Sequence, residues 1–427
     1  MSTKIPSELA VFMHGQQIAT LYREGRVKPL RLQYRDDLPE NTTPLSVALP
    51  IEGQTHTGPQ IRYWLAGLLP DREEVLAAWR RSFQVTSLEE FALLPHVGND
   101  VAGAVQFCRP DQIDTLTRGG ELIELTEEQV GRRLDELGDR TSGWGVAVDS
   151  GQFSLAGTQA KVALHFTGQK WFLPTGTHAT THIVKPAITG LPDQDLNEHL
   201  TMRTAANLGL AAAPTRIMTF AGRRALVVQR YDRLIRDDGQ VQRIHQEDLV
   251  QALGRRPSDK YEIDGGPGLT TLVGLVRQVT PAQTRTHDVI ALLEAAAFNW
   301  LIGGTDAHAK NYSLLLAGNQ VRLAPLYDLN SFLPYNSRPH VNLSMSVGRH
   351  GRFRTSDITA DDWRWVALRA GVDPDGLLHR ITLMAQFLPD AAANAAAGDG
   401  IDEPTNETRA FSSRFVNALT DHAAVIT

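Results

Sequence analysis

A chain of 427 residues can build two or three domains with full-sized cores, and 42% hydrophobic with 21% charged residues marks a globular protein, not a disordered or fibrous one. A formal net charge of -6 gives no global field for DNA or an anionic membrane, so a nucleic-acid contact would need a local basic patch. One cysteine, Cys108, excludes an internal disulfide and a cysteine zinc site, and points to a reducing compartment.

Met1 to Pro6 has no apolar signal region, and no run of 18 apolar residues follows anywhere, so a soluble cytoplasmic chain with no membrane partner is expected. Residues 1–110 read as a β-rich unit. Leu9 to Met13 and Ile18 to Tyr22 flank His14-Gly15, a hairpin with glycine at its turn. Further strands are expected over 30–34 and over 45–49, where Leu45, Val47 and Leu49 alternate with small or polar neighbours. Helices are expected over 61–69, stopped by Pro70, and over 73–83. Cys108 follows the apolar Ala104 to Phe107 and reads as a small core residue. The unit holds no catalytic constellation, so binding or docking is its expected job. Residues 111–150 are a charged linker in which Thr126 can cap a helix running to Leu137.

The pattern changes over residues 151–240. Ser154 to Lys161 is a loop of small residues that leads into a hairpin of strands around Val162 to Phe166 and Trp171 to Leu173. A strand ending in Lys185, a helix over 196–208 and a strand over 224–229 follow, which is the element order of a kinase N-lobe. Residues 241–427 are mainly helical, as in a C-lobe.

Asp306 and Asn311 stand five apart in a loop between the apolar stretch 289–302 and a strand over 312–316. That is the carboxylate–amide spacing of a protein-kinase catalytic loop, where Asp takes the acceptor hydroxyl proton and Asn holds Mg²⁺. Asp36 and Asn41 repeat the spacing with nothing catalytic around them. Asp328, seventeen residues beyond Asn311, supplies the second hard oxygen ligand that Mg²⁺ chemistry needs. Lys185 in Ile183-Val184-Lys185 can reach the ATP α/β-phosphates, or can be a solvated strand-end lysine. Glu198, on the next helix, is its possible partner. His308 and Lys310 lie inside the Asp306 loop, where His308 either orients the loop or meets a phosphate. Ser154 and Thr158 bracket the small-residue loop, whose backbone N–H groups can cradle phosphates although it holds only one glycine. Gln229 and Tyr231 fall where an adenine-binding hinge should lie, with their backbone expected to matter more than their side chains.

These residues resemble the HipA serine/threonine-kinase toxins of bacterial type II toxin–antitoxin modules. The stretches that carry the resemblance are Ser154 to Lys161, Thr181 to Lys185, Gly304 to Ser313, Leu323 to Asp328 and Tyr261 to Gly268, together with Pro44 to Pro50, Leu68 to Asp71 and Gly103 to Gln106 in the first unit. The resemblance implies an α+β, two-lobed kinase-like fold behind a β-rich N-terminal domain. It implies Asp306 as catalytic residue, Asn311 and Asp328 as Mg²⁺ ligands, and Lys185 as the ATP-phosphate lysine. Lys161 and the backbone of Ala156, Gly157, Thr158 and Gln159 match the phosphate loop, and Ser154 matches an inhibitory autophosphorylation serine. Ala160 and Gln229 depart from the family, which often carries glutamate at both positions. The implied partners are a HipB-type helix-turn-helix antitoxin and a protein substrate among the aminoacyl-tRNA synthetases, with operator DNA reached only through the antitoxin. Arg349, His350, Arg352 and Arg354 form the best local basic cluster and read as a solvated loop. Two other classes remain open on the residues alone: a lipid or small-molecule kinase, and a nucleotide-binding corepressor without turnover.

Overall fold

The computed structural model describes residues 5–25, 29–117, 119–138, 154–157, 159–188, 190–335, 341–398 and 400–426. The chain opens with β1 (Glu8–Met13), β2 (Gln16–Tyr22), β3 (Arg31–Tyr34) and β4 (Thr55–Thr57), then α1 (Pro59–Gly67), α2 (Glu73–Ser82), α3 (Glu90–Val97) and β5 (Val105–Cys108). The strands form one antiparallel sheet in the order β4-β3-β2-β1-β5. Leu9, Val11, Leu21, Trp64, Leu65, Phe91 and Phe107 make its separate core, each removed almost wholly from water. Cys108 is buried beside Ala10 and Phe12.

Residues 45–49 do not form the expected strand. Pro44 and Pro50 bracket a tight turn closed by a single Ser46–Leu49 bridge. Its N–H groups go elsewhere, Leu45 donating to the Tyr34 hydroxyl at 3.0 Å and Val47 to the Glu247 carboxylate at 2.8 Å. Leu45 and Leu49 are buried because the turn folds inward, not because a strand alternates.

α4 (Ile113–Thr117), β6 (Leu122–Leu125) and α5 (Glu127–Gly138) fill the segment between the units. Thr126 caps α5 in a reciprocal box, its Oγ1 accepting from Gln129 N–H at 3.3 Å while Gln129 Oε1 accepts from Thr126 N–H at 2.7 Å. β6 joins a six-stranded antiparallel sheet with β7 (Val162–Thr167), β8 (Lys170–Pro174), β9 (His182–Pro186), β10 (Thr215–Phe220) and β11 (Arg223–Gln229), in the order β10-β11-β9-β7-β8-β6. α6 (Gln194–Asn207) lies between β9 and β10 in sequence and is buried on nearly every face, so it packs as an internal strut, not a surface helix. Arg224 on β11 ties its start down through Asp193 at 2.9 Å and Asp195 at 2.8 Å.

A small hairpin of β12 (Arg233–Ile235) and β13 (Val241–Arg243) follows, then β14 (His245–Asp248) and the one-turn α7 (Leu249–Ala252). The helical part holds α8 (Leu269–Val279), α9 (Ala282–Leu301), α10 (Ala360–Ala370), α11 (Pro374–Ala396) and α12 (Asn406–Ile426). β15 (Ser313–Ala317) and β16 (Gln320–Leu323) extend β14 into a three-stranded sheet, and β17 (Asn342–Val347) pairs with β18 (Arg352–Arg354). α9 is the axis of the largest core, burying Val289, Leu292, Leu293, Ala296, Phe298 and Leu301. Among the described residues no helix is long and apolar enough to cross a membrane.

Buried charge joins the first unit to the rest. Asp100 accepts from Arg233 at 2.7 Å and from the Thr180 hydroxyl at 2.6 Å, while Asp232 accepts from Arg230 at 2.8 Å and from the Gly103 N–H at 2.8 Å. All four charged side chains are at most 5% exposed. His245 reaches the Leu45 carbonyl at 2.9 Å, and Gln251 donates to the Trp64 carbonyl at 2.8 Å.

Candidate active site

α9 ends where its ladder can no longer continue. Gly303 takes a positive φ of 60°, and a Cβ on Gly304 would stand 2.3 Å from Asn299 Oδ1, so only glycine lets the chain turn this sharply into Thr305 and Asp306. The loop then fastens itself. Asn311 Nδ2 donates to the Asp306 carbonyl at 2.8 Å, the His308 N–H to that same carbonyl at 2.8 Å, and the Asn311 N–H to the His308 carbonyl at 2.9 Å. Its flanks are braced by Ser344, whose hydroxyl donates to the Thr305 carbonyl at 2.5 Å, and by Tyr327, whose hydroxyl donates to the Lys310 carbonyl at 2.7 Å. Behind it α7 starts with a capping box, Asp248 accepting from the N–H groups of Val250 and Gln251.

The loop opens into a cleft of about 410 Å³, within the size range of small-molecule and cofactor pockets. Asp306 is exposed there, and its Oδ1 accepts from the Tyr261 hydroxyl at 2.7 Å. Burial raises the Tyr261 hydroxyl well above its usual range, and the Asp306 carboxylate beside it adds to the shift, so the tyrosine is a firm donor. His308 is buried with its ring edge against Tyr261, centroids 4.8 Å apart. Burial pulls its pKa down to about 4, leaving a neutral imidazole whose Nδ1 has no hydrogen-bond partner among the described residues.

Lys185 sits on β9, flanked by β7 and β11, which fixes its stem on a rigid strand. Its ammonium lies 2.6 Å from Glu198 of α6 and also pairs with Asp328. Burial alone would discharge this lysine, but the two carboxylates outweigh it and hold its pKa above the usual range. Burial likewise works against the Asp328 carboxylate, yet Lys185 and Lys161 keep it well below the usual range. Glu198 shares Lys185 with a second acid, so burial pushes it up to about 7 against the pull of the ammonium, and among the described residues no donor reaches its Oε2. Asp328 itself stands in the left-handed region, φ 53°, where Asp is among the few side chains tolerated.

The small-residue loop supplies the opposite wall. Lys161 is 5% exposed, donates to the Ala156 carbonyl at 2.7 Å, and is brought down to about 8, chiefly by burial. A Cβ on Gly157 would stand 2.8 Å from that ammonium. Gln159 donates to Gln194, which donates to Asn330, each at 3.1 Å, a relay from this loop over α6 to the segment after Asp328. Thr158 lies outside the described residues. Ser154 is fully buried, its hydroxyl donating to the Leu68 carbonyl at 2.8 Å and its N–H to the Asp100 carbonyl at 2.9 Å.

The structure thus brings Ala156, Gly157, Gln159, Lys161, Lys185, Glu198, Gln229, Tyr231, Asp306, His308, Lys310, Asn311 and Asp328 to one cleft. Two expectations change in detail. The Gln229 N–H is spent on the Pro214 carbonyl at 2.9 Å, so it is not a free hinge donor. The Tyr231 ring stacks on Tyr327, centroids 5.7 Å apart, and its hydroxyl meets Gln246, making it part of the wall. Lys310 turns to Asp71 of the first unit. Tyr261, Lys260 and Asp71 carried no assigned role in the sequence, although Leu68 to Asp71 and Tyr261 to Gly268 were among the stretches that carry the resemblance.

A magnesium ion fits the donors present. Asn311 commits its Nδ2 to the Asp306 carbonyl, leaving Oδ1 for a cation, and Asp328 offers a carboxylate about a third exposed. Both are hard oxygen ligands, and among the described residues no group of three or more His, Cys, Asp or Glu could hold a metal ion alone. An ion here needs phosphate oxygens to complete its shell, as Mg²⁺ on a nucleotide does.

Comparisons with known proteins agree along the chain. Residues 9–108 match the HipA N-terminal domain and residues 153–392 the HipA-like C-terminal domain. Serine/threonine-protein kinase toxin HipA of Shewanella oneidensis is 30% identical over 404 residues, 92% of this chain and 90% of that protein. Y4mE of Sinorhizobium fredii, named as a candidate kinase, is 39% identical over 359 residues, 83% of each. The solved Shewanella oneidensis toxin–antitoxin complex of HipA, HipB and operator DNA superposes with a TM-score of 0.82 at 27% identity, covering 97% of this chain and 96% of that one.

Proposed function

The chain belongs to the HipA family, and from that premise we propose that it is an ATP- and Mg²⁺-dependent serine/threonine protein kinase, the toxin of a toxin–antitoxin module. The observation that carries this reading is the convergence of Lys185, Glu198, Asp306, Asn311 and Asp328 on one cleft from four separate stretches of chain. Asp306 accepts the proton of the acceptor hydroxyl as its oxygen bonds the γ-phosphorus and the bond to the β-phosphate oxygen breaks, releasing ADP. Lys185, Lys161 and the backbone of Ala156 to Gln159 bind the phosphates, with Lys310 and His308 at their far side. Asn311 Oδ1 and the Asp328 carboxylate would hold Mg²⁺, which when bound neutralises charge on the β- and γ-phosphates. Gln229 and Tyr231 border the base.

The acceptor we propose is a serine or threonine of an aminoacyl-tRNA synthetase, so that transfer inhibits translation and growth. A HipB-type antitoxin is the partner, a reading supported by the HipA–HipB–operator DNA complex that this fold matches. Ser154 is proposed as the chain's own inactivating acceptor. A phosphate there adds about -1.5 to -2 charge and cannot occupy the place of a hydroxyl 2.8 Å from a carbonyl, so the loop from Ser154 to Lys161 would have to leave its seat. Labelled-phosphate transfer by the wild type and Asp306→Asn tests the kinase reading and the Ser154 assignment. The variant should lose roughly 10²–10⁴-fold in rate, and phosphate on the wild-type protein should map to Ser154. Equal incorporation in both chains would remove Asp306 from its role.

A further inference from the structure

Asp71 belongs to the N-terminal unit, the part of the sequence with no catalytic constellation, yet its side chain lines the cleft that contains Asp306. It stands just beyond α1, after Pro70 has ended the apolar run Leu68-Leu69. Its carboxylate pairs with Lys310 of the Asp306 loop through Oδ1 and with Lys260 through Oδ2 at 3.5 Å. Its N–H donates to the Gly157 carbonyl at 3.3 Å. One residue therefore touches the small-residue loop, the Asp306 loop and the segment that places Tyr261 on Asp306.

The charges explain why this matters. Lys310 is four residues from Asp306 and 5% exposed at its side chain, and Lys260 adjoins the tyrosine that hydrogen-bonds Asp306. A buried ammonium without a counter-ion is strongly disfavoured, so Lys310 must take a carboxylate. Asp71 provides one from outside both lobes; burial works against that carboxylate, and Lys310 and Lys260 outweigh it and hold its pKa below the usual range. The other acids lining the cleft are engaged elsewhere, Glu198 and Asp328 on Lys185, Asp232 on Arg230, Glu247 on the Val47 N–H and Asp248 on capping α7, which leaves Asp306 itself.

We propose that Asp71 is a positioning residue for phosphoryl transfer: it holds Lys310 and Lys260 beside the Asp306 loop and off the Asp306 carboxylate, so the N-terminal unit completes the catalytic cleft. The inference rests on the kinase reading. Its test measures kcat and KM for ATP in full-length wild type, Asp71→Asn, Asp71→Glu, Lys310→Met and the double variant Asp71→Asn/Lys310→Met. Misplacing a phosphate-side lysine should lower kcat by roughly 10–100-fold in Asp71→Asn, with KM for ATP changed by less than about threefold. Asp71→Glu, which keeps the charge, should recover most of the loss. In the double variant the Asn substitution should add less than about twofold to the Lys310→Met effect, because both act through one contact.

A second readout needs no turnover: labelling of Lys310 by an amine reagent, located by mass spectrometry, should rise severalfold in Asp71→Asn. Wild-type-like kcat and labelling in Asp71→Asn, or multiplicative losses in the double variant, would overturn the inference while the kinase reading stands. Absence of transfer by the wild type with any protein acceptor would overturn the kinase reading and this inference with it.

Discussion

The Asp100–Arg230–Asp232–Arg233 cluster and the Lys185–Glu198–Asp328 cluster are made of the same kinds of group, but only the first is closed. In the first, two acids face two arginines, with Arg243 at 3.4 Å as a third, and every carboxylate oxygen has a donor from a guanidinium, Thr180 or the Gly103 N–H. The groups left over are guanidinium Nε–H bonds of Arg233 and Arg243. In the second, two acids share one close lysine, no donor among the described residues reaches Glu198 Oε2, and Asp328 is 37% exposed to the cleft. A closed cluster can only hold parts together. An open one has lone pairs in reserve, which is what a site for a cation and phosphates requires.

Breaking each cluster should therefore register on a different instrument. Asp100→Ala leaves buried guanidinium groups without their acid, at a cost of about 3–5 kcal/mol. Denaturant unfolding should show a correspondingly lower midpoint. A midpoint unchanged from wild type would mean that the seam is not closed by charge. Lys185→Met should do the reverse. It removes the ammonium from the phosphate side and should lower transfer by roughly 10²–10³-fold, while its unfolding midpoint falls less than that of Asp100→Ala. Glu198 can meet the loss by keeping a proton, and Asp328 by turning to solvent. Equal destabilisation by the two substitutions would erase the distinction.

The open cluster was legible in the sequence and the closed one was not, for a reason of distance along the chain. Lys185 ends an apolar strand, Asp306 and Asn311 lie five apart, and Asp328 closes Leu323 to Tyr327, so each carries a local pattern. Glu198 needed only the helix after the lysine strand. Asp100 and Arg233 lie 133 residues apart with nothing local to mark them. Asp71 and Lys310 each lie in a stretch that carries the resemblance, but at 239 residues apart nothing local marks them as a pair. Residues 45–49 failed differently: two prolines and three alternating apolar residues look like a strand edge, and only the acceptors on Tyr34 and Glu247 reveal a turn. At the hinge position the sequence could not show that the Gln229 N–H, at the end of β11, is paired with the Pro214 carbonyl.

Tyr261 lies between the two regimes, since its hydroxyl is neither a ligand in reserve nor part of a closed network. It donates one hydrogen bond to an ionisable carboxylate, a contact worth about 1.5–3 kcal/mol. Tyr261→Phe keeps the ring against His308 and removes only that bond. Steady-state assays should show kcat down by roughly 10–100-fold with an unfolding midpoint near wild type. If the midpoint falls and kcat holds, Tyr261 belongs with the seam instead of the cleft.

Glu247 is the sharpest test of what closure contributes, because it lies on the same seam without a cation. Its Oε1 accepts from the Val47 N–H at 2.8 Å, its Oε2 has no partner, and no lysine or arginine pairs with it among the described residues. Burial pushes its carboxyl up from 4.5 to about 8, against the Ser46 and Val47 donors and with Asp248 adding to the rise. The sign follows from proton counting. Between pH 4.5 and about 8 the folded chain keeps a proton that the unfolded chain has lost, so this group's contribution to stability falls as pH rises through that window. Glu247→Gln keeps the shape and the acceptor for Val47 and cannot ionise. Its stability should match wild type near pH 5 and exceed it near pH 9 by at least one unit's worth of linkage, about 1.4 kcal/mol. Wild type and variant with parallel stability–pH curves would show that Glu247 is ionised and paired at neutral pH, and that the seam tolerates an acid without an arginine.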